Sequence, residues 1–264
     1  MSAARAGRQR MEDRKREALT AAQACAELLR TRFGARRVIL FGSLVGDGTW
    51  HEHSDIDLAV EGLADEDFFA AYSACCDLVP PGLDLDLVPL EDTYPEMRAR
   101  ILGEVEVPKD PILALKGLIE DELTALQRIV GWTEEALTKL PEEPSQLEMH
   151  GLAAYIHQFY TGIERIFERI AVWLGEERPK GSYWHVELLS RMAEEQKGTR
   201  PAVISGTLRD RLEEYLKFRH FFRHAYGYTL QWTKIRPLAE GMKKTLEVLK
   251  AQLMAFLESL ESSA

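Results

Sequence analysis

The run Phe41-Gly42-Ser43 is followed, after eleven intervening residues, by Asp55-Ile56-Asp57-Leu58. A glycine at the end of a strand lets backbone N–H groups approach a phosphate closely, and the Ser43 hydroxyl can donate to the same oxygens. Asp55 and Asp57, two apart on a strand, project to one side, the spacing that holds a hard divalent cation through oxygen ligands. A third carboxylate has to come from a neighbouring strand. Leu83-Asp84-Leu85-Asp86-Leu87-Val88 alternates strictly and offers Asp84 and Asp86 on one face. Three carboxylates gathered without a cation repel by roughly 4 kcal/mol per pair at ~4 Å and an effective dielectric near 20. Such a cluster calls for a metal, and magnesium is the natural one.

A second run, Lys217 to Trp232, interleaves Lys217, Arg219 and Arg223 with His220, His224 and six aromatic residues. Cations meet phosphate, rings stack on bases and histidine moves protons near neutral pH, a mixture that suits RNA. On a helix Arg219, Arg223 and Tyr226 make one polar stripe and His220 and His224 the next, while Phe218, Phe221, Phe222 and Tyr228 face inward. A core helix with a solvated basic edge is the plainer account of the same pattern. His150 and His157, seven apart, read as structural groups.

The elements that position these residues fall into two textures. Residues 8–33 read as a helix closed by Gly34, and Val38-Ile39-Leu40-Phe41 as a short buried strand ending at Gly42-Ser43. Ile56 to Val60 is a second strand, Asp65 to Leu78 a helix, and residues 83–88 a third strand after the Pro80-Pro81-Gly82 turn. From Pro111 the strands stop. Residues 111–140, 145–175, 183–196 and 205–260 carry apolar residues at helical spacing, and the last is long enough to require a bend at Gly227 or Pro237. The expected architecture is α+β: a small mixed sheet with flanking helices over residues 1–107, then an all-α bundle over 111–264.

The chain has 264 residues, 45% of them hydrophobic and 29% charged, values of a folded globular protein. A net charge of −10 argues against nonspecific coating of nucleic acid, but the charge is segregated. Lys and Arg number 10 against 4 acids over residues 1–37, and 3 against 17 over 38–110; residues 217–236 hold five cations and no acid. No run of eighteen apolar residues and no signal peptide stands out, so a cytoplasmic protein with no membrane partner is expected. Cys25, Cys75 and Cys76 have neither metal-ligand nor disulfide-framework spacing and read as reduced thiols.

In its order of strand, Gly-Ser, loop, Asp-x-Asp strand, helix and aspartate-bearing strand, the chain resembles the minimal nucleotidyltransferases of the polymerase-β-like superfamily over about residues 20–107. Their usual spacer is ten residues, where this chain has eleven, including Trp50, His51 and His53. The resemblance implies that Gly42 and Ser43 hold the triphosphate of ATP. It implies that Asp55 and Asp57 bind Mg2+ with a third aspartate, which matches Asp86 better than Asp84 and could accept the proton of an attacking hydroxyl. Residues 111–260 are similar to the HEPN family of helical domains, marked by arginine, four to six residues, then histidine, here Arg219 and His224. Such domains include metal-independent ribonucleases, usually active as homodimers. Those paired with minimal nucleotidyltransferases add a tyrosine two residues after the histidine, here Tyr226, to which the transferase can attach AMP. His220 stands where the family often has Asn or Asp. The layout is also similar to that of aminoglycoside nucleotidyltransferases, which implies a small hydroxylated acceptor. A third expectation is a regulator that binds nucleotide or RNA without turnover.

Overall fold

The computed structural model describes residues 2–45, 50, 54–105, 108, 110–176, 179, 183–196, 200–224 and 229–262, with side chains from residue 9 onward. His51, His53, Tyr226, Gly227 and Tyr228 lie outside the described residues. The chain divides into two compact units, Met1–Glu106 and Val107–Ala264.

The first unit runs α1 (Ser2–Arg32), β1 (Arg37–Phe41), β2 (Ile56–Glu61), α2 (Phe68–Cys76), β3 (Leu85–Pro89) and α3 (Pro95–Ile101). Its sheet is mixed, in the order β1-β2-β3: β1 pairs antiparallel with β2, and β2 parallel with β3. Alternation along the strands assigns the two faces. Ile56, Leu58, Val60, Leu85 and Leu87 pack with Ala18, Ala21, Ala22, Cys25 and Leu29 of α1 and with Ala71 and Cys75 of α2. These α1 positions recur at three- and four-residue spacing, which makes the apolar stripe of an amphipathic helix. The opposite face carries Ala59, which packs with Leu90 and Ile101 and has Ile39, Phe41 and Met97 around it. Here α3 covers part of the sheet. It is a short helix opened by Pro95 that the sequence pattern does not announce.

The strand expected over 83–88 pairs only from Leu85. Asp84 lies ahead of β3, and its carbonyl accepts the N–H of Ile56 at 2.9 Å. The α1 helix ends where the N–H of Ala35 returns to the carbonyl of Leu29 at 3.0 Å, past Gly34 at φ +70°.

The second unit is helical: α4 (Pro111–Lys139), α5 (Gln146–Trp173), α6 (Trp184–Met192), α7 (Gly206–His224) and α8 (Trp232–Glu261). Asp110 caps α4 by accepting from the N–H groups of Ile112 and Leu113 at 2.8 and 3.3 Å, with Pro111 behind it. Ser145 and Glu148 form a reciprocal capping box at the start of α5. The 205–260 stretch, expected to be too long for one helix and bent at Gly227 or Pro237, is two helices, α7 and α8, and Pro237 sits inside the second. Ile156, Phe159, Tyr160, Ile163, Ile166 and Phe167 make α5 the centre of the core. Burial pushes the Tyr160 hydroxyl well above the usual tyrosine range. Among the described residues no helix is long and apolar enough to cross a membrane.

Close approach of α4 and α5 depends on Gly162, where a Cβ would lie 2.8 Å from Cδ2 of Leu126 and 3.2 Å from Oε1 of Glu122. Gly162→Val should overpack this crossing and cost about 1–3 kcal/mol, read as a lower urea midpoint at unchanged m-value.

Candidate functional site

In the first unit the Gly-Ser turn and the aspartates come together through strand register. Phe41 pairs with Asp57 across the β1–β2 ladder, and Asp57 pairs with Asp86 across β2–β3. Gly42 follows Phe41 directly and opens a short 3-10 turn, Gly42–Leu44. Its φ is +73°, and a Cβ built there would fall 2.1 Å from Oδ2 of Asp57. Only glycine satisfies both demands: the backbone lies in the left-handed region, and the carboxylate occupies the space a side chain would need. The turn backbone and the Asp57 carboxylate are thus in van der Waals contact.

Asp86 is exposed, and Asp55 and Asp57 are half-buried. Asp55, Asp84 and Asp86 line a cleft of about 530 Å³ together with Tyr72, Cys76 and the Pro80-Pro81 turn. Both candidates for the third carboxylate therefore face the same space, while the strand register puts Asp86 rather than Asp84 beside Asp57. In chemical kind the donors fit a hard divalent cation, being carboxylate oxygens on neighbouring strands. They are not gathered as the sequence suggested: among the described residues no group of three or more His, Cys, Asp or Glu stands close enough to hold a metal ion. Asp55 precedes β2 rather than lying on it, so it is not held by the ladder that sets Asp57 beside Asp86. Closing the three around one ion takes side-chain rotation.

The second unit treats its motif residues differently. Arg219 is only 8% exposed. Its Nη2 lies 2.9 Å from Oε2 of Glu164, whose other oxygen, Oε1, lies 2.5 Å from Nδ1 of His185. Glu164 is itself 5% exposed. The expected polar stripe through Arg219 is therefore a buried network joining α5, α6 and α7, and Nε of Arg219 is buried without a hydrogen-bond partner among the described residues. A buried guanidinium needs such a counter-ion, because desolvation penalises an unpaired charge heavily. His157 stands nearby on α5, its ring 5.8 Å from that of Phe222. Desolvation, then the positive charges of Arg219 and Arg223, lower its pKa below the usual histidine range.

His224 is exposed at the end of α7, with its ring 4.8 Å from that of His220. Five residues along a helix turn a side chain by about 140°. Arg219 and His224 therefore diverge within one chain: one is locked in the core and the other faces solvent. Phe218 and Phe222 face inward and stack at 5.9 Å, but Phe221 is 39% exposed, contrary to the inward placement expected of it. Spacing alone allows all three on one side, since i+3 and i+4 both neighbour i; which part of that side another helix covers decides that Phe222 is packed and Phe221 is not.

Glu164 was legible in principle, because it follows Tyr160 by four on the apolar stripe of α5, where an unpaired acid would not be tolerated. Nothing around His185 in sequence marks it as that acid's partner.

Two family models match the sequence. One, described as polymerase beta, nucleotidyltransferase, covers residues 23–107, and the other, described as HepT-like protein, covers residues 151–260. No curated protein and no solved structure matches the chain.

Glu164→Ala leaves the Arg219 guanidinium buried without its counter-ion and should cost about 3–5 kcal/mol of stability, measured by urea denaturation of the full chain.

Proposed function

Because the chain joins a polymerase-β-type nucleotidyltransferase domain to a HepT-like domain, a toxin–antitoxin-type arrangement, we propose that the first transfers AMP from ATP to Tyr226 of the second. The observation that carries this reading is the contact of Gly42 with Asp57, itself in register with Asp86. It brings the Gly42 turn and two carboxylates together at one end of a small sheet. Backbone N–H groups of the Gly42-Ser43 turn and the Ser43 hydroxyl would hold the triphosphate. Asp55, Asp57 and Asp86 would hold Mg2+, which when bound supplies charge neutralisation at the phosphoryl oxygens. Asp86, the exposed carboxylate of the set, would accept the proton of the tyrosine hydroxyl. The tyrosine oxygen then bonds to the α-phosphorus, the bond from that phosphorus to the bridging oxygen breaks, and pyrophosphate leaves. Tyr226 can belong to the same chain or to a second copy.

In the second domain Arg219 and His224 would be the motif residues if it acts as a ribonuclease. Since Arg219 is committed to Glu164 in the core, a competent site would combine exposed His224 with cations other than Arg219 of its own chain, or with a second chain in a homodimer. A small acceptor is the alternative for the first domain, favoured by one observation: Asp55, Asp84 and Asp86 together line the 530 Å³ cleft. That acidic wall suits a cationic hydroxylated molecule such as an aminoglycoside, and pyrophosphate release that depends on such an acceptor would establish it.

Incubation with ATP and magnesium should raise the intact mass by whole AMP increments and place the label on the tryptic peptide containing Tyr226. Asp57→Asn should abolish the labelling and Tyr226→Phe should remove the acceptor; an unlabelled Tyr226 peptide from a protein that turns over ATP would refute the assignment. Gly42→Ala should push the Asp57 carboxylate aside and slow labelling by roughly 100-fold, the scale of a misplacement of about 1 Å, with little change in the far-ultraviolet circular dichroism.

A further inference from the structure

The 530 Å³ cleft lined by Asp55, Asp84 and Asp86 also takes in a side of α2 and the turn that follows it. Tyr72 and Cys76 both line it and stand four apart on α2, which puts them on one side of that helix. Pro80, Pro81 and Leu83 make the rest of the wall largely apolar. The cleft therefore opens where α2, the turn after it and the edge strand β3 meet. Its volume lies within the roughly 300–1,000 Å³ typical of small-molecule sites.

Tyr72 is not a packing residue of α2. Ala71 and Cys75 are wholly buried and attach the helix to the core, whereas 39% of Tyr72 is exposed. Among the described residues that line the cleft, it alone carries a hydroxyl. Contact with the Cys76 thiol, followed by the charges of Asp86 and Asp84, pushes the pKa of that hydroxyl above the usual tyrosine range. It keeps its proton at neutral pH and needs a base before it can attack. Asp86, which shares the cleft, is the carboxylate already read as the base for an acceptor hydroxyl.

A nucleophile, a base and the carboxylates that would hold the metal thus line one space, and proximity of this kind is what turns a slow bimolecular attack into a fast internal one. We infer that Tyr72 is an internal acceptor, so that the first domain places AMP on the wall of its own cleft. The inference rests on the nucleotidyltransferase reading of Asp55, Asp57 and Asp86 but not on the assignment of Tyr226. The Tyr72 oxygen bonds to the α-phosphorus of ATP, the bond from that phosphorus to the bridging oxygen breaks, and pyrophosphate leaves. The tyrosine proton passes to the Asp86 carboxylate. Tyr72 and the aspartates belong to the same compact unit, Met1–Glu106, so the step needs no second copy. Its product sets an adenosine group, held by a phosphodiester, in the space that an outside acceptor would enter.

The test incubates the full chain with ATP and magnesium, digests it with trypsin and locates AMP by fragment mass. Cleavage after Arg37 and Arg98 isolates residues 38–98, which hold Tyr72 and Tyr94 and are separate from the peptide of Tyr226. AMP is expected on Tyr72, with a first-order rate constant unchanged when the protein is diluted tenfold. Tyr72→Phe should leave residues 38–98 unlabelled, and Asp86→Asn should slow the labelling by about 100-fold or more. AMP on Tyr94 or Cys76 instead, a rate constant that falls in proportion to dilution, or undiminished labelling of Asp86→Asn overturns the inference. The two readings fail differently. A chain that labels Tyr226, or releases pyrophosphate onto an added acceptor, and leaves Tyr72 bare defeats the internal acceptor alone; one that attaches no AMP and releases no pyrophosphate defeats the transferase reading as well.

Discussion

Electrostatic repulsion between carboxylates on adjacent strands is the constraint around which the first domain is built. Parallel pairing of β2 with β3 sets Asp57 beside Asp86 in register, and drawing such carboxylates together costs energy unless a cation joins them. The fold tolerates the arrangement because the other face of the same strands is closed by α1 and α2 over Ile56, Leu58, Leu85 and Leu87. A parallel neighbour requires a crossover, and α2 supplies it while adding Ala71 and Cys75 to the same core. What is unfavourable at the site is thus fixed in place by what is favourable behind it.

The helical domain solves the opposite problem, with an ion inside rather than at an edge. Arg219, buried at 8% exposure, would be a heavy liability if Glu164 did not meet it from α5 and His185 did not meet Glu164 from α6. The three helices are held in one relative rotation by that network, since the oxygens of one carboxylate serve two partners. His224 and His220, by contrast, stand at the solvent end of α7, where side chains can meet a ligand without leaving the core.

Much of this was legible in the residues. Strict alternation of apolar and acidic residues put Asp84 and Asp86 on one face, and both do line one cleft. The change from strand-like to helical periodicity at Pro111 coincides with the start of α4. What alternation could not give was where the ladder begins: Leu83 is buried like a strand residue, yet pairing starts at Leu85. The stripe argument for α7 went wrong at Arg219 and Phe221 because a helical wheel shows which residues share a face, not which face another helix covers. Glu164 on α5 settles that, and it lies 55 positions earlier in the chain. No local pattern encodes a partner so far away in sequence. The short α3, seven residues with little periodicity, falls below what spacing can reveal.

The shared carboxylate of Glu164 also bears on how this protein can vary among its relatives. A change at Arg219 strands the acid, a change at Glu164 strands the guanidinium, and a change at His185 frees one oxygen in a dry interior. The three sites are therefore coupled energetically, and the cost of changing one depends on the other two. A lineage that abandons one of them has to replace the others with apolar groups of similar bulk, so that exchange of all three together is the natural route between charged and neutral forms of this core.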